Sequence, residues 1–134
     1  MELEIMEHGD HLLVSPSGDI VWDSCNQLRE AIARRIDADE DGDAKHEDEA
    51  EAAPPRGVYT RLWLDLGDVT LIDSVGLGVL MGIRMMCHRC NVRLTLVEPS
   101  KQVMATLKAV KFDSLFDIVG RETAETAVLE NSEE

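Results

Sequence analysis

One hydroxyl group and the residues after it have the types and spacing that could carry chemistry. Residues 73–78 read Asp-Ser-Val-Gly-Leu-Gly, after an apolar strand at residues 61–66 and a short turn, and a long apolar helix follows. This layout puts Ser74 at or next to a helix N-terminus, where free N–H groups and the positive end of the dipole favour an anion. A serine there is either an N-cap, since Ser and Asp are both preferred caps, or a phosphate acceptor.

The two glycines of this segment favour the functional interpretation. Gly76 and Gly78 fall in the first turns of the predicted helix, where each costs about 1 kcal/mol relative to alanine. Glycines keep the helix surface flat, so another backbone or a partner protein could approach closely. The surrounding apolar residues would hold the Ser74 hydroxyl at a fixed place on that surface.

Hydrophobic periodicity predicts the elements that position this segment. Short strands around Leu3–Ile5 and Leu12–Val14 flank a turn at residues 8–10. Further strands are predicted at residues 61–66, at 92–97 and between Phe112 and Val119. Helices are predicted at residues 24–36 with Asp23 or Ser24 as the cap, at 75–90, from Ser100 to Val110 with Val103, Met104, Leu107 and Val110 buried, and at 122–130. Strands that alternate with helices predict an α/β fold, with a mixed sheet of about five strands and about four helices.

An acidic stretch interrupts this pattern between the first predicted helix and the strand at Arg61. Residues 37–53 hold nine acidic residues and one lysine, and no apolar residue there is larger than alanine. Such a stretch cannot bury enough surface to order itself, so residues 37–57 are predicted to be a flexible insertion within a single domain of residues 1–134. The insertion is a solvated loop, or alternatively it docks on a basic partner surface or masks a neighbouring face of its own domain.

Composition narrows the class of protein. The chain has 134 residues and a net charge of −14, which opposes nucleic-acid binding and favours basic partners or none. The first residues are acidic, and no apolar run approaches the roughly 20 residues that a membrane span needs. We therefore expect a cytoplasmic protein without membrane insertion. Three cysteines fit reduced thiols better than disulfides.

Catalytic and cofactor sites find little support in the sequence. Cys87 and Cys90 have the spacing of a metal or redox pair, but no second cysteine pair and no suitably spaced histidine accompany them. They are interpreted as two partly buried small residues. Ser74 lacks the Gly-x-Ser-x-Gly elbow of a hydrolase, and no phosphate-binding loop or dinucleotide fingerprint occurs. We expect neither an enzyme nor a bound cofactor or metal.

The segment from Asp73 to Gly78, preceded by a strand and Asp65-Leu66, resembles the signature of the STAS domain of bacterial anti-sigma factor antagonists. The likeness extends upstream to residues 12–20, which resemble the second strand of the family. Downstream, residues 92–99 resemble its fourth strand, 101–110 its third helix, and 112–118 the approach to its closing strand. Nearly the whole chain is covered except residues 37–57, and a STAS-like fold is implied.

The resemblance implies a phosphoprotein of signal transduction that regulates transcription by partner switching. Such a protein binds an anti-sigma factor that is also a serine kinase of the GHKL type, and thereby frees a sigma factor. Phosphorylation of the serine matching Ser74 releases the complex, and a serine phosphatase resets it. The partner-binding residues implied by the resemblance are Asp19, Asp23, Asp73, Ser74, Val75, Gly76, Leu77 and Gly78.

Two positions depart from the family pattern. Val21 stands where the family often has an aspartate, for which Asp23 could substitute, and Val75 stands where a second Ser or Thr is common. An alternative function is that of a STAS subunit in an ABC-type lipid transport complex, docking on its ATPase without phosphorylation. A nucleotide-binding STAS sensor that takes a guanine nucleotide is a third.

Overall fold

The computed structural model describes residues 1–36 and 59–132. Within these residues, strands and helices follow one another as β1 (Glu2–His8), β2 (His11–Ile20), α1 (Cys25–Ile36), β3 (Arg61–Asp65), β4 (Val69–Ile72), α2 (Ser74–Arg89), β5 (Arg93–Val97), α3 (Lys101–Ala109), β6 (Asp117–Val119) and α4 (Arg121–Ser132). The predicted α/β fold is confirmed. The predicted acidic insertion at residues 37–57 lies outside the described residues.

The sheet is mixed, as the alternation of elements predicts. Its strands lie in the order β1-β2-β3-β5-β6, with β1 antiparallel to β2 and the other neighbours parallel. Besides β1, the long strand β2 pairs with two parallel strands in turn. Residues 11–14 pair with β3, and residues 18–20 pair with β4 after a register shift between Gly18 and Asp19. Gly18 has a φ of +97°, a conformation that favours glycine, and this lets the strand change partner.

Strand β4 corrects the sequence analysis, which placed a turn between the strand at residues 61–66 and the helix that follows. Val69 and Ile72 are buried while Thr70 and Leu71 are exposed, so the segment lacks the alternation that marks a half-buried strand. Its hydrogen-bonding partner is the far end of β2, about fifty residues away in the chain. Local sequence carries no signal for such a distant pairing.

One face of the sheet packs against helices to form the main core. The fully buried side chains come from every layer: Leu12, Val14, Leu62, Leu64 and Leu96 from strands, and Leu28, Ile32, Leu80, Ile83, Val103 and Leu107 from helices. Val110 was predicted to be buried and is instead 43% exposed. Helix α3 ends at Ala109, and Val110 is its C-cap, followed by Lys111 at a φ of +65°. The chain turns away there, so Val110 leaves the buried stripe.

The opposite face of the sheet is covered in part by α4. Trp63 is buried there in one cluster with Val97 and with Ala124 and Val128 of the helix. Arg121 at the start of α4 donates from Nε and Nη2 to the two carboxylate oxygens of Asp65, at 3.1 and 3.0 Å. This paired contact ties the helix to the end of β3.

His11, the first residue of β2, is buried beside Trp63 of β3. The Trp63 indole N–H donates to Nδ1 of His11 at 2.9 Å, and His11 is only 4% exposed. Burial lowers the pKa of His11, against the opposing effect of Asp10. The fold therefore holds His11 as the neutral ring, with Nδ1 free of a proton so that it can accept.

We expect this pair to make stability depend on pH. Because the pKa of His11 is lower in the folded state, the unfolded chain binds an extra proton as pH falls below the ordinary value of about 6.5, and the free energy of unfolding decreases. The measurement is urea unfolding at about pH 7.5 and about pH 5.5 for the wild type and for His11→Gln, which keeps an acceptor but does not titrate. The variant should lose less stability over this interval. Equal losses would contradict the assignment.

Candidate functional site

The carboxylate of Asp73 joins the two chain segments that form the site around Ser74. Oδ1 accepts from the Gly76 N–H at 2.8 Å and caps α2, while Oδ2 accepts from the Trp22 N–H at 3.1 Å. The Asp73 N–H in turn donates to the Ile20 carbonyl at 3.3 Å. The turn after β2 is thereby fastened to the first turn of α2. The sequence allowed either an aspartate or a serine as the N-cap of α2. In the structure the N-cap is Asp73.

In this arrangement the Ser74 side chain does not contribute to the helix cap. It is the first residue of α2, its side chain is exposed, and its hydroxyl makes no hydrogen bond to any described residue. The N–H groups of Ser74 and Val75 lie in the first turn, where no carbonyl of the helix can pair with them. An anion attached to Ser74 would meet these groups and the positive end of the dipole.

The four residues after Ser74 divide into exposed and buried positions. Val75 and Gly78 are exposed, whereas Gly76 and Leu77 are buried. A Cβ at Gly76 would lie 2.2 Å from the Ile20 carbonyl oxygen, so Gly76 is required by close packing against the end of β2. A Cβ at Gly78 would meet nothing within 4 Å. Of the predicted partner-binding residues, Gly76 and Leu77 thus shape the site from beneath and offer little surface.

The predicted acidic residues lie on the same edge. Asp19, exposed at the end of β2, accepts from the Thr70 hydroxyl at 2.5 Å and pairs in register with Leu71 of β4. Asp23 is exposed and makes no hydrogen bond or ion pair within the described residues. Both are held close to Asp73, because β4 leads directly into it and the turn after β2 contacts its carboxylate. The surface around Ser74 therefore carries three carboxylates.

Large apolar side chains are exposed beside these carboxylates. Trp22 is 70% exposed, Leu71 51% and Val75 49%. Sequence analysis missed Trp22, although an aromatic residue directly before Asp23, in a turn after a strand, is the signal that could have found it. An indole ring held in water next to a structured turn is typical of a protein-binding surface.

The described residues offer Ser74 no catalytic machinery. No histidine or carboxylate contacts its hydroxyl there, and no group of three or more His, Cys, Asp or Glu in this part of the chain could hold a metal ion. Cys87 is buried, and burial raises its pKa to about 12, so its thiol stays protonated. None of the helices described is both long and apolar enough to cross a membrane.

The family of the chain is shown by its sequence. Residues 2–127 match the family model of the STAS domain, and the chain belongs to that family. The family model spans both the strand–helix segment around Ser74 and the elements that position it. No protein of curated function matches the chain by sequence.

Solved structures share the fold at low identity. An anti-sigma factor antagonist from Thermotoga maritima, described as putative, matches with a TM-score of 0.69 and 19% identity over 95% of this chain and 92% of that chain. One from Mycobacterium paratuberculosis matches with a TM-score of 0.67 and 21% identity, over 95% and 92%. The anti-sigma factor antagonist SpoIIAA in its unphosphorylated form gives 0.64 and 16% over 96% of each chain, and SpoIIAA of Bacillus is also known in a phosphorylated form.

Two glycines of α2 should respond in opposite ways to alanine. Gly76→Ala forces a methyl group against the Ile20 carbonyl, and we expect it to lower the free energy of unfolding by about 1–3 kcal/mol. Gly78→Ala is the matched control, because its methyl group enters open space and alanine favours the helix by up to about 1 kcal/mol. Chemical unfolding of both variants measures the difference. A Gly76→Ala protein as stable as the wild type would show that the close contact is not required.

Proposed function

We propose that this chain is an anti-sigma factor antagonist. It binds an anti-sigma factor that is also a serine kinase of the GHKL type, and phosphorylation of Ser74 ends that binding. A serine phosphatase restores the binding form, and the whole cycle belongs to the cytoplasm. The chain acts through contact, so its own role is regulatory rather than enzymatic.

The observation that carries this proposal is that Asp73 caps α2, whereas the Ser74 side chain is exposed and takes no part in the cap. A kinase needs a hydroxyl that is reachable and not committed to the fold. Because Asp73 caps α2, the Ser74 hydroxyl is exposed and has no hydrogen bond within the described residues. The existence of SpoIIAA in phosphorylated and unphosphorylated forms, on the same fold, supports the same conclusion.

Phosphorylation at this position should affect binding far more than folding. A phosphate adds a charge of about −1.5 to −2, and the N-terminal turn of α2 can accommodate it while it remains in water. In a complex the same group would lie among Trp22, Leu71 and Val75, each about half exposed or more, and would lose much of its hydration. It would also stand beside the Asp73 carboxylate. Both effects oppose the complex.

The partner surface can be described from the same residues. The exposed Trp22 ring fits an apolar recess, because large aromatic side chains bind most strongly when they fill one. The carboxylates of Asp19 and Asp23 would be complemented by basic groups on the partner, at the rim of that recess. Gly78, whose missing side chain leaves open space, lets a partner backbone approach α2 closely.

Phosphorylation by a kinase of the same genome tests the proposal. The protein is incubated with ATP and each GHKL-type kinase, and intact mass and peptide mapping locate any phosphate. We expect one phosphate, on Ser74, and none on Ser74→Ala. Ser114→Ala is the matched control, since Ser114 is also exposed but lies outside a helix N-terminus. In the binding assay, Ser74→Asp should weaken the complex at least about tenfold with almost unchanged stability.

The outcomes distinguish the proposed functions. Phosphate on another serine, or a large loss of stability in Ser74→Ala, would contradict the role given to Ser74. Stable binding to a transporter ATPase with no phosphorylation by any kinase would replace the phospho-switch with a constitutive docking module.

Trp22 should be the strongest single apolar contact to the partner. Trp22→Ala is expected to weaken the complex by at least about 2 kcal/mol while leaving the free energy of unfolding nearly unchanged, because the ring is 70% exposed in the free protein. Titration calorimetry with the kinase measures the affinity. Met85→Ala is the control, since Met85 is 61% exposed on α2 but lies toward the opposite end of that helix from Ser74. Equal effects of the two variants would contradict a special role for Trp22.

A further inference from the structure

A second concave surface lies at the other end of α2. It is a cleft of about 450 Å³ between the C-terminal part of α2, strand β5 and the segment that enters β6. Ten residues separate Ser74 from Arg84, the first lining residue on the helix, which corresponds to about 15 Å along the helix axis. The cleft is therefore distinct from the surface around Ser74, and its volume is in the range of about 300–1,000 Å³ found for small-molecule sites.

Two arginine side chains line this cleft in a strongly acidic protein. They are Arg84 of α2 and Arg93 of β5, and His88 of α2 and the carboxylate of Asp117 also belong to the lining. Arg84 uses its Nε–H to reach the Leu115 carbonyl at 2.9 Å, and Arg93 uses its Nε–H to reach Asp117 at 3.3 Å. Each guanidinium group is thus held at the cleft by one hydrogen bond from Nε, and the Arg93 side chain remains 64% exposed. Their remaining N–H groups make no hydrogen bond to any described residue.

The interior of the cleft is apolar. Phe116 and Val92 are 8% and 7% exposed, and Leu115 is 39% exposed at the edge. Cys87 adds a thiol that is 1% exposed, and because burial raises its pKa to about 12 it brings no negative charge. An apolar floor under a rim of arginine N–H groups matches a ligand that has an apolar body and an anionic head.

Two features oppose an anion in this cleft and so restrict how it can bind. Asp117 carries a negative charge, and the C-terminal end of α2 adds about half of another. The attraction from charges near the cleft is therefore weak, and the net charge of −14 on the whole chain repels an anion at long range. Direct hydrogen bonds from the planar guanidinium groups, which match phosphate and carboxylate oxygens in pairs, must supply the attraction.

We propose that this cleft binds a small amphipathic anion. Its phosphate or carboxylate head contacts the free N–H groups of Arg84 and Arg93, and its apolar body packs against Phe116. This inference does not depend on the proposed function, since it concerns the opposite end of α2 and needs no phosphorylation of Ser74.

Amide chemical-shift titrations of the full chain test the proposal. The probes are phenyl phosphate and phenylacetate, which carry the two kinds of head, with inorganic phosphate and phenol as half-probes. We expect saturable shifts at cleft residues with a dissociation constant below about 1 mM for one of the two anions, and at least tenfold weaker binding of both half-probes. The tighter of the two anions identifies the head.

Variants separate a specific site from general attraction. Arg84→Gln should weaken binding at least tenfold, and Arg84→Lys several-fold, because lysine keeps the charge but loses the paired N–H groups. Lys101→Gln removes an equal charge at the first residue of α3, which does not line the cleft, and should leave the affinity for the anion unchanged. Arg93→Gln repeats the test from the opposite wall in case Arg84→Gln does not fold.

Several results would overturn the proposal. These are shifts that do not saturate by about 20 mM, phenol binding as tightly as phenyl phosphate, or wild-type affinity in Arg84→Lys. Unchanged binding in folded Arg84→Gln or Arg93→Gln protein would do the same.

Discussion

The geometry of the site depends on a single carboxylate with two hydrogen bonds. Asp73 accepts from Gly76 at the start of α2 and from Trp22 in the turn after β2. Each bond satisfies an N–H group that would otherwise need water or another partner. Because the two segments are about fifty residues apart in the chain, this contact converts a strand end and a helix start into one surface. The close approach of Gly76 to Ile20 reinforces the same junction.

That junction explains why residues 73–78 are divided between positions that hold the fold together and positions that are exposed. Asp73 and Gly76 are occupied by the fold, while Ser74, Val75 and Gly78 face outward. Helix α2 then extends from this surface across the sheet to the cleft at Arg84, so one rigid element carries both surfaces. The apolar core on the strands beneath holds the helix in place and leaves its outward face free for partners.

The sequence predicts those parts of the fold that local patterns determine. The central strand at Arg61, the long helix after Ser74 and the hairpin at the N-terminus follow from periodicity, and the motif around Ser74 indicates the family. Strand β4 could not be predicted in this way, because it depends on pairing with the distant strand β2. Trp22 was missed because its contact with Asp73 joins segments that are distant in the chain, although its position in a turn before Asp23 was a signal. The choice between Asp73 and Ser74 as cap also needed geometry, since either residue type can fill that role. Whether the predicted site residues bind a partner stays a prediction.

The cap at Asp73 has a consequence for how such domains diverge. Because Ser74 contributes no hydrogen bond to the described fold, replacing it removes the modifiable group without removing a structural one. Under the proposed function, a single substitution at Ser74 would therefore abolish the phosphorylation control without altering the fold, and the reverse substitution would restore it. The proposed modification site is thus free of hydrogen bonds to the described fold, whereas the neighbouring Asp73 holds two chain segments together.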